Sequence, residues 1–110
     1  MAKELVEGNK NNFQKEVIEA SEKIPVIVDF YADWCMPCRI LGPVLEKVAS
    51  SYKGKLKLVK INTEENPELA EKYDIMSIPS VKLFRNREVV DEFVGSLPES
   101  EIKEFIEKNL

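Results

Sequence analysis

The 110-residue chain contains no histidine, and that absence closes several routes at once. Ser–His and Cys–His nucleophilic machinery and histidine metal sites are all excluded. Cysteine is nearly as scarce, with two residues, Cys35 and Cys38. Two cysteines cannot build a disulfide scaffold, and the loop between them is too short to staple a fold. One C-x-x-C supplies half of a four-thiolate zinc site, so no metal and no cofactor are expected within one chain. No apolar stretch approaches the ~20 residues of a membrane-spanning helix, so no membrane partner is expected. Met1-Ala2-Lys3-Glu4-Leu5-Val6-Glu7 carries no signal-peptide apolar region, which makes the cytoplasm the expected location. Cationic excess is missing too. A net charge of −4 offers no electrostatic footprint for nucleic acid.

What is present reads as one globular domain spanning residues 1–110, with 44% hydrophobic and 33% charged residues. No linker, repeat or low-complexity stretch divides it. Lys3 to Val6 forms a short first strand. Asn11 is an expected N-cap for a helix whose stripe is Phe13, Val17 and Ile18, running through Ala20. Pro25–Tyr31, rich in β-branched and aromatic residues, reads as a buried strand. Leu41, Val44, Leu45 and Val48 then recur at helical spacing to about Tyr52, with Pro43 inside the helix as an expected kink. Leu56–Asn62 is a third strand. Asn66-Pro67 is a cap followed by proline at the first helical position, opening a short helix to Tyr73. Val81–Arg85 and Glu88–Val94, joined by Asn86-Arg87, are expected to form an antiparallel hairpin. Ser96-Leu97-Pro98-Glu99 reads as a capping box for a last helix carrying Ile102, Phe105 and Ile106. The βαβαβαββα pattern predicts an α/β fold, a mixed sheet covered by helices on both faces.

Trp34-Cys35-Met36-Pro37-Cys38 lies where the buried strand hands over to the helix. Two thiols three positions apart at a helix start share one face, within reach of a disulfide. Free N–H groups and the helix dipole there favour a thiolate at the first of them. This is the arrangement of a redox device. Asp29 interrupts the apolar strand, sharing a face with Ile27 and Tyr31 and opposite Val26, Val28 and Phe30. In a strand covered on both faces, burial is expected. Lys60 breaks the third strand on the face of Leu56 and Leu58, and pattern alone predicts a solvated lysine.

Along its whole length the chain resembles the thioredoxin family. The matching residues are Asp29-Phe30-Tyr31-Ala32-Asp33-Trp34-Cys35-Met36-Pro37-Cys38, then Pro43, Lys60, Ile78-Pro79 and Gly95, in family order and spacing. The resemblance implies a thioredoxin fold, a central mixed five-stranded sheet flanked by four helices on both faces. It implies a protein-disulfide reductase, a monomer, that accepts electrons from a thioredoxin reductase and reduces client disulfides. Cys35 is then the nucleophile and Cys38 the resolving thiol, paired in a redox-active disulfide. Asp29 takes the Cys38 proton and Lys60 modulates that acid. Trp34, Met36 and Pro37 form one side of a substrate surface, and Met76, Ile78, Pro79 and Gly95 the other. The bond before Pro79 is expected to be cis. The chain departs from the family pattern at three places. Met36 stands where glycine is common, leaving the potential and partner preference open. Met76-Ser77 replaces the frequent Arg-Gly or Arg-Ser, and Arg87 a hairpin glycine, so a positive φ there would bring strain.

Overall fold

Five strands make one mixed sheet in the computed structural model, which describes residues 5–110. They are β1 (Leu5–Gly8), β2 (Val26–Tyr31), β3 (Lys57–Asn62), β4 (Ser80–Arg85) and β5 (Glu88–Val94), in the order β1-β3-β2-β4-β5. β1 and β2 both run parallel to β3, while β4 is antiparallel to β2 and to β5. The helices are α1 (Met36–Ser50), α2 (Pro67–Lys72) and α3 (Glu99–Glu107). A further helical segment precedes β2, wound as a π-helix over Gln14–Glu19 and closing in a 3-10 turn at Ala20–Glu22.

β2 is central because both of its faces are apolar. Ile27, with Leu58, Val81 and Leu83, packs against Leu41, Leu45 and Val48 of α1 and Ile102 and Ile106 of α3. Val26, Val28 and Phe30 pack on the other side with Phe13 and Val17 of the first helical segment and Leu69 of α2. Every residue from Val26 to Phe30 is buried. Each fully buried aliphatic or aromatic side chain contributes ~1.5–3 kcal/mol, so these two layers dominate the stability.

Several local expectations change. The part of the first strand before Leu5 lies outside the described residues, and β1 extends to Gly8. A Cβ at Gly8 would meet Val59 Cγ1 at 2.6 Å, so this position needs glycine for close packing on β3. Asn11 is no cap: Asn9 Oδ1 instead accepts the N–H groups of Asn11 and Asn12 at 2.8 and 3.0 Å. Asn66 occupies the N-cap position of α2, but its side chain is drawn elsewhere. Its Oδ1 accepts the Lys10 N–H at 3.0 Å and its Nδ2 donates to the Asn62 carbonyl at 3.0 Å, tying three segments together. The capping box is likewise absent. Pro98 is the N-cap of α3, and its carbonyl accepts from Glu101 and Ile102 without help from Ser96. Glu99 and Glu101 in the first turn supply the favourable charge instead. Pro43 does lie inside a continuous α1, although that helix ends at Ser50 rather than Tyr52.

The hairpin turn has Asn86 at φ 51° and Arg87 at φ 74°, the left-handed pair that matches the twist of the flanking strands. Its backbone is fastened to the first helical segment. Ser21 Oγ accepts the Arg87 N–H at 2.8 Å, and the Ser21 carbonyl accepts that of Asn86 at 2.8 Å.

Candidate active site

β2 ends at Tyr31, and a turn through Ala32, Asp33 and Trp34 delivers Cys35 to the start of α1. The Cys35 N–H closes that turn on the Ala32 carbonyl at 3.2 Å. Cys35 is extended (φ −84°, ψ 110°) and is the N-cap, so it stands just outside the first helical turn. Its Sγ receives the Cys38 N–H at 3.3 Å, taking the place of a capping oxygen. Pro37 sits in the first turn, where a missing N–H costs no hydrogen bond. Cys35 and Cys38 form a disulfide with Cα atoms 5.2 Å apart. Both are buried, at 4% and 6% exposure, so accessibility does not distinguish them. Position does: only Cys35 carries its sulfur at the unpaired N–H groups.

The second wall comes from the segment before β4. Cys35 Sγ lies 3.8 Å from the Ile78 carbonyl oxygen, and the Ile78–Pro79 bond is cis. Gly95 donates its N–H to the Pro79 carbonyl at 2.8 Å and has φ +90°, a conformation glycine adopts without strain. Ile78, Pro79 and Gly95, scattered in sequence, are thus brought to the cysteines. Around them Trp34 is 67% exposed, Met36 62%, Ile40 59% and Met76 88%. Trp34 is therefore surface rather than core. Met76 lines an open groove with Ser77, Phe93 and Val94.

A second, polar constellation adjoins the cleft that Cys38 lines. Asp29 is 1% exposed, and its Oδ1 has no hydrogen-bond partner among the described residues. Burial pushes its carboxyl up to about 6, opposed by the Lys60 charge and reinforced by Glu46 and Glu7. Lys60 is Asp29's neighbour in register on β3. It is half-buried rather than solvated, with Nζ 3.1 Å from Glu46 Oε2 and 4.9 Å from the centre of the Tyr31 ring. The Tyr31 hydroxyl donates to Glu7 Oε2 at 2.8 Å, and burial followed by that bond raises the phenol above its ordinary range. A cleft of about 440 Å³ is lined by Tyr31, Cys38, Gly42, Pro43, Glu46 and Lys60. Cys38 and Lys60 therefore open onto the same space. Sequence reasoning missed Glu46, Tyr31 and Glu7. The available signal was the spacing Cys38, Gly42, Glu46, one position per helical turn down a single face of α1.

The fold and this site are those of thiol–disulfide oxidoreductases, and comparison with known proteins narrows the class. The family model described as Thioredoxin matches residues 4–108. Thioredoxin 1 of Nostoc sp. is 43% identical over 100 residues, covering 91% of this chain and 92% of the relative. The thioredoxin of Buchnera aphidicola is 43% identical over 106 residues, covering 96% of each. The chloroplastic M-type thioredoxin of Chlamydomonas reinhardtii is 43% identical over 102 residues, covering 93% of this chain and 71% of the relative. The chain belongs to the thioredoxin family. Its chemistry is reversible thiol–disulfide exchange through Cys35 and Cys38, the activity of a protein-disulfide reductase.

Proposed function

We propose that the chain is an electron carrier of the cytoplasm, reduced by a thioredoxin reductase and oxidised by client proteins, and that its site residues divide the work as follows. The Cys35 thiolate attacks a client disulfide, forming a mixed disulfide while the first client sulfur departs as a thiolate. Cys38 gives its proton to Asp29, and the resulting thiolate attacks Cys35 Sγ. The Cys35–Cys38 disulfide forms and the second client sulfur leaves, so two electrons have passed to the client. Lys60 modulates the acidity of Asp29. Trp34, Met36 and Pro37 on one side and Met76, Ile78, Pro79 and Gly95 on the other seat the client segment.

One observation carries the order of attack: Cys35 is the N-cap, with its sulfur on the Cys38 N–H and the positive end of the α1 dipole. That environment stabilises a thiolate at Cys35 before one at Cys38. A reduced dithiol carrier also belongs in a compartment where glutathione and its like keep thiols reduced, which supports the cytoplasm. The test is trapping. Cys38→Ser incubated with disulfide-linked insulin should accumulate a covalent mixed disulfide, stable on a non-reducing gel. Cys35→Ser should accumulate little, and trapping by that variant alone would reverse the roles. Turnover of insulin driven by a flavin-linked or a ferredoxin-linked reductase identifies the electron donor.

A further inference from the structure

Asp29 and Lys60 are register neighbours on adjacent parallel strands, so their side chains leave the same face of the sheet about 5 Å apart. An ion pair between them would be the simplest outcome, yet the Lys60 ammonium hydrogen-bonds elsewhere. Its Nζ is 3.1 Å from Glu46 Oε2 and rests over the Tyr31 ring, on the wall of the cleft that Cys38 lines. Among the described residues, Asp29 Oδ1 is left buried without a partner.

Three features hold the ammonium there. Glu46 stands two helical turns after Cys38 on the same face of α1, so its carboxylate overhangs the cleft. Gly42, one turn before it, leaves the necessary room: a Cβ at that position would stand 3.3 Å from Lys60 Nζ. The Tyr31 ring supplies a π face beneath the cation, and its hydroxyl is tied to Glu7 on β1. We infer that Glu46 is a positioning residue for the resolving step, holding the Lys60 ammonium on the cleft wall so that Asp29 stays unpaired and available for the Cys38 proton.

This inference rests on the reading of Asp29 as the proton acceptor. The ionisable groups gathered around Asp29 come from every layer. Lys60 of β3, Glu46 of α1 and Glu7 of β1 act on Asp29 directly, while Cys38, Arg39, Asp33 and Tyr31 line the cleft that Lys60 and Glu46 share. Glu46 and Glu7 both act against ionisation of Asp29, and Lys60 acts for it. Removing Glu46 therefore works twice in one direction. It deletes a nearby negative charge, and it frees the ammonium to pair with Asp29.

The decisive measurement is the titration midpoint of the Asp29 carboxyl, followed by NMR in the oxidised protein. Glu46 is 38% exposed in its side chain, so Glu46→Gln keeps the fold. The midpoint should fall from about 6 by about one pH unit in Glu46→Gln. Glu46→Asp should recover part of the fall. In a Lys60→Met background, the same Glu46→Gln change should produce less than about half of that fall. An unmoved midpoint overturns the inference. A fall of equal size without Lys60 also overturns it, since Glu46 would then act by its own charge alone. The pH profile of single-turnover insulin reduction separates the two levels of the argument. If the Asp29 midpoint falls and the rate profile shifts with it, both readings stand. If the midpoint falls while the profile stays fixed, Asp29 is not the proton acceptor, and Glu46 holds Lys60 without serving the resolving step.

Discussion

Asp29 occupies the middle of the central strand, where an apolar side chain would satisfy the packing on its own. Its folded-state carboxyl is raised from 3.8 to about 6, first by burial, so the unfolded chain ionises before the folded one. The group's stabilising contribution is complete below pH 3.8 and is lost as pH rises through about 6. Above that window the cost is roughly 3 kcal/mol. Asp29→Asn removes the charge at nearly constant shape, so it should raise the melting temperature at pH 7 by on the order of 10–15 °C. The gain should vanish near pH 4, and insulin reduction at pH 7 should slow. Thermal scans at the two pH values, paired with turnover, check this; unchanged stability and full activity would refute it. Asp29 was legible because a lone acid in a run of β-branched residues demands an explanation. Glu46 was not, because a glutamate on a helix with charged neighbours has the look of a solvated face. What distinguishes it is a lysine 14 residues later in sequence, and only the folded chain brings the two together.

At the scale of elements, the β4–β5 hairpin shows a local cost met by a distant contact. Arg87 at φ 74° adopts a backbone that side-chain-bearing residues enter at ~1–2 kcal/mol. Its guanidinium pairs with Glu22 at 2.8 Å, but both side chains are about half exposed, and such a pair contributes little. Arg87→Gly should therefore stabilise the domain by roughly 0.5–1 kcal/mol, read as a higher denaturant midpoint with unchanged reductase activity. A clear loss of stability would mean that the Glu22 pair outweighs the strain. The strands and the hairpin were readable because each is a short apolar run bounded by turn residues. Helix starts were read less well. Asn11 and Ser96 both have good capping side chains, but Asn9 and the backbone of Pro98 occupy those roles. Asn66 was correctly placed before Pro67, yet its buried side chain serves Lys10 and Asn62. A capping residue is chosen by what else competes for its side chain, and sequence spacing does not contain that competition. The π-wound start at Gln14–Glu19 was not legible either. Its apolar stripe matched an α-helix, and Phe13 and Val17 do enter the core, but the stripe carries no sign of the wider winding.

Over the whole molecule, register gives the sheet a direction. Phe30, beside the cysteine turn, pairs with Ser80, whereas Val26 pairs with Phe84 at the other end. The chemistry therefore lies at one end of the strands and the Asn86-Arg87 turn at the other, about 20 Å away for a six-residue strand. Charges at that distance are screened by more than two Debye lengths at physiological salt. The far turn is also the one that Ser21 clasps to the body of the protein, its Oγ and carbonyl accepting the Arg87 and Asn86 N–H groups. It is a rigid point that the electron traffic never visits. A biotin carried at position 87 and bound to a streptavidin bead should leave the rate of insulin reduction within about twofold of the free protein, a barrier change below ~0.5 kcal/mol. The same attachment at Met76, two residues before the carbonyl that touches Cys35, should largely abolish it. The clasp at Ser21 thus gives the molecule a handle, by which many copies could be mounted on a surface with every disulfide facing the solution.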